Sequence, residues 1–180
     1  HGTFTLCVNN KAGFDFKAGA ILISPLGDWC SSDAAYNNRY ATADESAGSC
    51  WSGGTGNNVW FKFVAPTTAV TIDIITGGAY GTMRGQQIAL WNDNNDEVGC
   101  INAADWYSGT LSLSTDTLTP GRTYHISVDD RRTHGTFTIC VDYVQSYDFK
   151  LGAYEISSID DWSSADAEFS NRYATPDENA

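Results

Sequence analysis

Oxygen-bearing side chains form the first group of residues in this sequence that could do chemistry. Residues 92–97 read Asn-Asp-Asn-Asn-Asp-Glu, so carboxylate and amide oxygens recur at alternate positions of a short loop. Calcium prefers oxygen ligands of this kind, although the same residue types are also common in hairpin turns. The pattern makes calcium a candidate cofactor, with two sets of ligands: Asp93, Asn95 and Asp96 in one site, and Asp44, Glu45, Asp129 and Asp130 in a second.

Catalytic chemistry is not indicated by the remaining polar residues. His125 lies inside a strand pattern and His134 at a strand start, and neither accompanies a GxSxG or HExxH motif. The acidic pairs are adjacent in sequence, whereas a glycosidase needs two carboxyl groups that face each other across a cleft. The sequence therefore predicts a protein that is not an enzyme.

Aromatic residues in or near the expected loops form a second group. Exposed rings can stack on sugar faces, while Asn and Asp side chains bind the hydroxyl groups. Trp60 and Phe61 are neighbours on one strand, so their side chains lie on opposite faces and one must pack outside the core. Contacts between modules or chains are predicted, with glycan binding and simple capping of the core as alternatives, for five residues: Trp51, Trp60, Trp91, Trp106 and Tyr107.

The sequence repeats itself over a long interval. Residues 1–47 return without gaps as residues 134–180, an offset of 133, and 27 of the 47 aligned positions are identical. A period of this length is the size of a whole domain, which indicates a tandem array of modules. We expect residues 1–12 to be the terminal strand of a preceding repeat, 13–144 to be one complete module, and 145–180 to begin the next. The joints are short, so we expect a fairly fixed angle between modules.

The cysteines can be interpreted through the repeat. Cys7 aligns with Cys140, so we expect its partner to lie in the preceding repeat. The module itself contains Cys30, Cys50, Cys100 and Cys140, which permit three pairings. Ser163 replaces Cys30 in the next copy, so a bond from the Cys30 position would leave the terminal-strand cysteine without a partner. We therefore predict Cys30–Cys50 and Cys100–Cys140, with free thiols as the alternative; disulfides would indicate an extracellular setting.

The elements that must hold these residues are predicted to be β-strands. Six Trp, nine Tyr, eight Phe and 17 Gly, with many Thr, Val and Ile, favour short strands joined by turns. Apolar residues alternate with polar ones in most of the segments expected to be strands: 20–23, 59–64, 70–76, 87–91, 110–114, 123–128 and 136–143. Pro120 and Gly121 fit the second and third positions of a tight turn. The prediction is an all-β, jelly-roll-like antiparallel sandwich of two sheets.

Charge and hydropathy exclude two classes of partner. The formal net charge of −12 and the isoelectric point near 4.3 argue against nucleic-acid binding, which needs a basic face. No apolar run approaches the 18 residues that would cross a bilayer, so we expect no membrane insertion by this segment.

Several motifs together resemble a known family. They are DWC at 28–30, SCW at 49–51, NVWFKFVAP at 58–66, VTIDI at 70–74, IALWND at 88–93, LTPGRTYHISVDD at 118–130 and GTFTICV at 135–141. In this order they look like the pre-peptidase C-terminal type of β-sandwich, especially the cysteine-containing versions repeated in giant secreted surface proteins of Bacteroidetes bacteria. The resemblance implies a non-catalytic domain that sometimes binds calcium or polysaccharide and sometimes only spaces other parts.

These observations lead to one functional expectation and one rival. The chain is expected to be a structural repeat of a very large extracellular adhesin or filament protein, which forms a disulfide-stapled stalk for surface attachment or prey contact. Its partners would be neighbouring repeats, other copies in a homo-oligomeric fibre, and surface glycans. The alternative is a multivalent carbohydrate-binding module whose affinity comes from many copies.

Overall fold

The fold is built almost entirely from strands. The computed structural model describes residues 13–104 and 106–143, together with residues 3, 156 and 162–164. The strands are β1 (Ile21–Leu22), β2 (Trp29–Cys30), β3 (Tyr36–Asn37), β4 (Val59–Val64), β5 (Val70–Ile75), β6 (Arg84–Trp91), β7 (Glu97–Asn102), β8 (Thr110–Thr115), β9 (Thr123–Thr133) and β10 (Thr136–Asp142). Short 3-10 turns occupy Gly13–Asp15, Lys17–Gly19 and Gly78–Tyr80. Apart from isolated positions, the predicted flanking segments 1–12 and 145–180, with Cys7, lie outside the described residues.

The strands form two sheets that face each other. Sheet A has the order β1-β4-β9-β6-β7, and sheet B has the order β2-β10-β5-β8, with β3 also paired to β10. The two-residue strand β1 runs parallel to β4, and the other pairings among the described strands are antiparallel. The predicted all-β sandwich of two sheets is therefore confirmed, with one parallel pair at an edge. In the described part of the chain, no helix combines the length and apolar character needed to cross a bilayer.

The core lies between the sheets because alternate residues of each strand point inward. On β4 these are Val59, Phe61 and Phe63, and each is almost completely buried. Burying one large apolar side chain is worth about 1.5–3 kcal/mol. Other strands of sheet A contribute Ile88, Leu90, Ile126 and Val128, and the facing strands of sheet B contribute Val70, Ile72, Ile74, Phe137, Ile139 and Val141. The alternation of apolar and polar residues in the sequence thus determines which face of each sheet is buried in the core.

The turn expected before β9 forms as the sequence indicates. The amide of Arg122 donates to the carbonyl oxygen of Thr119 at 3.2 Å, so Pro120 and Gly121 occupy the two central positions. Gly121 has φ +80°, which a residue without a Cβ adopts at little cost. The predicted roles of proline and glycine at this turn are therefore confirmed.

Three strands are absent from the sequence-based prediction. β7 is half-buried along its whole length and contains Gly99, so it shows no alternation of apolar and polar residues. β2 and β3 contain two residues each, which is too short for any period to appear. These strands form because their backbone groups pair with those of neighbouring strands. The residues of those neighbouring strands lie elsewhere in the sequence, so the local pattern does not reveal the pairing.

The predicted disulfide pairing is wrong. Cys30 on β2 is bonded to Cys140 on β10, and Cys50 is bonded to Cys100 on β7. Cys30 and Cys140 are direct partners in the strand register, with their Cα atoms 4.1 Å apart. The serine at position 163 marks a difference between repeats and does not reveal the pairing. Each sheet carries one disulfide on its outer face.

Candidate functional site

Sheet A presents large aromatic side chains on the face that points away from the core. Trp60 on β4 and Trp91 on β6 alternate with inward-facing residues, yet they are only 1% and 7% exposed. Ala89 and Cys100 lie in the same outward layer, because Ala89 is paired with Cys100 in the sheet register. Something other than the opposite sheet must therefore cover this face.

The cover is an irregular segment, residues 44–58, which we call the strap. Trp51 of the strap is 8% exposed and packs on the outward face of sheet A. Ala47 and Cys50 pack beside it, and the Cys50–Cys100 disulfide bonds the strap to β7. The buried set under the strap forms an aromatic cluster: Ala20, Trp51, Trp60, Ala89 and Trp91.

Hydrogen bonds hold the strap along one edge of the cluster. The carboxylate of Glu97 accepts from the backbone amide and the hydroxyl of Ser49, each at 2.6 Å. The side-chain amide of Asn102 donates to the carbonyl oxygen of Cys50 at 2.7 Å. The backbone amide of Ser52 donates to Oε1 of Gln87 at 3.0 Å. The strap therefore joins the outer face of sheet A by polar bonds as well as by the disulfide.

Asp129 fixes the strap near its end. Its carboxylate accepts from the backbone amides of Gly56 at 2.8 Å, Asn57 at 3.1 Å and Asp130 at 2.8 Å. Burial raises the pKa of Asp129 to about 6, and the three amide bonds oppose that rise. Asp130 accepts from the side-chain amide of Asn38 at 2.6 Å and lies 3.2 Å from the ring of His134. Both carboxylates of this predicted calcium pair thus hold parts of the protein together.

A lysine lies beside the aromatic cluster, next to the first residues of the strap. The ammonium group of Lys17 donates to Oδ1 of Asn95 and lies 5.6 Å from the ring centroid of Trp60. The backbone amide of Lys17 donates to the Asp44 carboxylate at 2.7 Å. Burial lowers the pKa of Lys17, and the nearby carboxylates of Glu45, Asp93 and Asp44 oppose that change. A small cavity of about 30 Å³ remains among Lys17, Glu45, Ser46, Trp60, Trp91 and Asn95.

The loop between β6 and β7 is organised as a hydrogen-bonded turn. Oδ1 of Asn92 accepts from the backbone amides of Asn94 and Asp96, both at 2.9 Å. The side-chain amide of Asn92 donates to the Asp96 carboxylate at 3.1 Å. Asn95 has φ +64°, a conformation that asparagine adopts more readily than most residues. The oxygen-rich sequence of this loop therefore serves the turn itself.

The predicted calcium ligands separate into two neighbourhoods. Asp44, Glu45, Asp93 and Asn95 surround Lys17, whose ammonium supplies positive charge beside them. Asp129 and Asp130 instead bind backbone amides and Asn38. Across the described residues, no three His, Cys, Asp or Glu side chains are arranged as metal ligands. The second predicted site, which combined both acidic pairs, is therefore not assembled, and calcium stays a prediction without a defined site.

The five aromatic candidates also divide into two groups. Trp51, Trp60 and Trp91 are buried by the strap, so the surface role predicted for them is wrong, and the capping alternative describes them. Trp106 and Tyr107, between β7 and β8, are 60% and 40% exposed. The amide of Gly85 donates to the carbonyl oxygen of Tyr107 at 3.0 Å, which holds the backbone at that residue. The Tyr107 hydroxyl donates to the carbonyl oxygen of Thr110 at 3.0 Å.

The strap is an element of the site that the sequence-based prediction missed. It has no periodic pattern, and its glycine-rich part, residues 53–56, reads as an ordinary loop. One signal was present, because the outward Trp60 requires a cover and Cys50 lies within ten residues of it. That signal identifies the need for a cover but not the segment that provides it.

Comparison with known proteins gives similarities to solved structures. No family profile matches the sequence, and no curated protein matches it. The chain is similar to the pre-peptidase C-terminal domain of collagenase from Bacillus anthracis, with 13% identity over 68% of this chain and 94% of that one, and a TM-score of 0.38. This is the type of domain that the sequence motifs resemble.

Two further solved structures are similar at the same level. CorA, a surface-associated copper-binding protein of Methylomicrobium album BG8, has 13% identity over 69% of this chain and 97% of that one, with a TM-score of 0.37. A carbohydrate-binding module from a Cellvibrio mixtus lichenase, solved with cellotriose, has 12% identity over 66% of this chain and 99% of that one, with a TM-score of 0.35.

Proposed function

We propose that the chain is a non-catalytic structural module of a large extracellular protein, in which successive sandwiches form a stiff stalk or fibre at the cell surface. This proposal rests on the short gap between the end of the sandwich and the start of the next repeat in the sequence. The elements of the sandwich run from Gly13 to Asp142, and the copy of Gly13 stands at residue 146. The sequence thus leaves three residues between the last strand of one sandwich and the start of the next. A joint this short restricts the angle between modules far more than a flexible linker does.

The disulfides support an extracellular location. Such bonds persist in oxidising compartments and are rare in reducing ones. Cys30–Cys140 and Cys50–Cys100 fasten opposite outer faces of the module, so neither sheet depends on packing alone. A module stabilised in this way suits a protein that must stay folded outside the cell. Its partners in the proposal are neighbouring repeats and other copies of the same chain.

Electron microscopy of the intact parent protein, taken from the cell surface, tests the proposal. We expect straight fibres with an axial period on the order of 30–50 Å, the length of one sandwich with its loops. Flexible strings without a period would contradict the stalk or fibre role. Sedimentation of the same material then reports whether several chains associate, and a monomer would remove the homo-oligomeric part of the proposal.

Glycan binding is a second candidate, favoured by the exposure of Trp106 and Tyr107. Two adjacent aromatic side chains offer flat apolar surface beside polar groups, which suits the face of a sugar ring, and hydrogen bonds hold Tyr107 in place. Weak binding at each module would be amplified by the number of copies in an array.

A substitution separates this candidate from the structural one. Trp106→Ala should abolish retention on a panel of immobilised polysaccharides while the thermal unfolding curve stays unchanged. Leu22→Ala, which removes another exposed apolar side chain from an edge strand, is the matched control and should retain binding. Equal retention of the wild type and the Trp106 variant, or no retention of the wild type, would reject glycan binding at this loop.

A further inference from the structure

The Cys30–Cys140 disulfide joins the two ends of the module. β2 is reached soon after the chain enters the sandwich, and β10 is the last strand before it leaves. The two cysteines are separated by 110 positions in sequence, yet they face each other across a strand pair. Almost the whole sandwich is therefore enclosed in one covalent loop.

The points where the chain enters and leaves the module are spaced along β10. Phe14 packs on Tyr36 with ring centroids 5.7 Å apart, and Tyr36 is paired with Phe137 near the start of β10. Tyr143 follows the end of β10 directly. Six residues of strand span about 20 Å at the usual rise. Tension between neighbouring modules would thus act roughly along β10 and across its bond to β2.

We infer that Cys30–Cys140 is a force-bearing clasp that keeps the sandwich out of the path of tension. A pull on residues 13 and 143 can straighten the chain only as far as Cys30 on one side and Cys140 on the other. Beyond that point the pulling force acts on the disulfide bond itself. Residues 31–139, which contain nearly all of the core, carry no tension while the bond is intact.

The clasp limits how far a loaded module can lengthen. With the bond intact, about 22 residues can be drawn out, which corresponds to a contour length of about 75 Å at roughly 3.5 Å per residue. Without either disulfide, the 131 residues from Gly13 to Tyr143 give about 450 Å at the same rate. The difference is large enough to be read directly in a single-molecule experiment.

The second disulfide provides an internal control. Cys50–Cys100 lies wholly inside the loop closed by the clasp, so it bears no tension while the clasp holds. If only the clasp is removed, Cys50–Cys100 still shields residues 51–99, and about 82 residues, or about 290 Å, can be drawn out. The two bonds therefore predict different extensions for each combination of substitutions.

The biological meaning of the clasp rests on the proposed function, because only a module in a stalk or fibre is pulled at both ends. The following copy carries Ser163 at the position of Cys30 and cannot form this bond. Neighbouring repeats would then differ in extensibility: one kind stops after a short extension, while the other, without this bond, can be drawn out further. The array would combine modules of short extension with modules that extend further.

Single-molecule force spectroscopy on the full 180-residue chain, held by handles at its two ends, tests the inference. We expect module extension of at most about 75 Å for the oxidised wild type and for Cys50→Ser/Cys100→Ser. Cys30→Ser/Cys140→Ser should give about 290 Å, and the wild type reduced after folding should give about 450 Å. In-place reduction keeps the test valid if a double-serine variant does not fold.

An extension of about 290 Å or more in the oxidised wild type would overturn the inference, since tension would then reach residues behind the bond. The same holds if the clasp variant extends no further than the wild type. These results do not depend on whether the parent forms fibres. If microscopy shows no periodic fibre but the oxidised module extends by at most about 75 Å, the stalk proposal fails and the clasp stands. If fibres are seen but the oxidised module extends by about 290 Å or more, only the clasp fails.

Discussion

The outer faces of the two sheets differ in how their side chains are covered, although the strands of both sheets alternate between inward and outward residues. On β5 and β8, the outer face of sheet B carries small hydroxyl side chains, such as Thr71 and Ser114, whose oxygens lie 2.9 Å apart. Water can satisfy groups of this kind, so they need no cover. The outer face of sheet A carries Trp60 and Trp91, and the strap buries them. Because these two aromatic side chains point outward, a long irregular segment is needed to bury them.

The disulfides follow the same division. On sheet A, Cys50–Cys100 fastens the strap over the aromatic cluster and so acts within one face. On sheet B, Cys30–Cys140 bonds an early strand to the last strand and so acts between the ends of the module. Cys50–Cys100 thus holds the cover over the aromatic cluster, and Cys30–Cys140 joins the two ends of the fold. Substitutions on each face should separate these roles.

Trp60→Ala should be the most damaging single substitution on either outer face. It removes a large buried side chain and leaves a cavity under the strap, so we expect a loss of about 3–5 kcal/mol in the free energy of unfolding. Ser112→Ala on the outer face of sheet B is the control and should stay within about 0.5 kcal/mol of the wild type. Urea unfolding under oxidising conditions measures both. Equal, small effects would mean that the aromatic cluster is not a second core.

Removing each disulfide should cost similar stability but give different spectra. Cys50→Ser/Cys100→Ser and Cys30→Ser/Cys140→Ser should each lower the free energy of unfolding by about 2–4 kcal/mol. Only the first pair loosens the strap over three tryptophans, whereas the second lies beside Trp29 alone, so the first variant should show the larger red shift of tryptophan emission and the larger increase in quenching by acrylamide. Identical emission spectra of the two folded variants would contradict the division of roles.

Acidification should stabilise the folded protein through the buried carboxyl group of Asp129. Its pKa is raised to about 6 in the folded protein, while an unfolded aspartate titrates near 3.9. Between these values the folded state binds more protons, so the contribution of Asp129 to stability rises as the pH falls through 6 towards 4. The full effect is about 3 kcal/mol, because each pKa unit is worth 1.36 kcal/mol.

A variant isolates this contribution from those of the other carboxylates. The stability difference between the wild type and Asp129→Asn should shift in favour of the wild type as the pH is lowered from 7 to 4. Asp116→Asn, at an exposed position, is the matched control. Chemical unfolding at each pH provides the comparison, and a difference that is independent of pH for Asp129→Asn would show that this carboxylate titrates normally.

The smallest expected effect concerns the turn at the edge of the aromatic cluster. Asn92→Ala removes the acceptor that two backbone amides share, so we expect a loss of about 1 kcal/mol. Asn94→Ala in the same loop is the control and should be close to neutral. Thermal unfolding in calcium and in EDTA adds a second readout. A melting temperature that rises with calcium in the wild type and not in Asn92→Ala would restore the loop as a metal site.

The sequence predicts the inner half of this molecule well and the outer half poorly. Alternation at Val70, Ile72 and Ile74 identifies a strand because the core imposes a period of two. The turn at Pro120 and Gly121 follows from the conformations that these residues permit. Both inferences rely on interactions between residues that are near each other in sequence.

The outer features depend on contacts between distant segments. The partner of Cys30 is set by the register of β2 against β10, which a two-residue strand does not reveal. Asp129 reads as an exposed acidic residue until Gly56 and Asn57 are brought to it. Lys17 likewise meets Asn95 only after the loops have folded. A local pattern cannot specify such contacts, since each partner lies dozens of residues away.

The distance in sequence between Cys30 and Cys140 also affects how the chain can be synthesised. Cys7 precedes Cys30 by 23 residues and Cys50 follows it by 20, whereas the correct partner emerges 110 residues later. A thiol that is oxidised early therefore meets the wrong cysteine first. Correct bonding requires either that oxidation waits until the last strand has docked, or that thiol–disulfide exchange releases the early bonds. If the module belongs to the proposed array, this demand recurs at each repeat that carries the bond, and secretion of the parent would then depend on the disulfide-exchange capacity of its compartment.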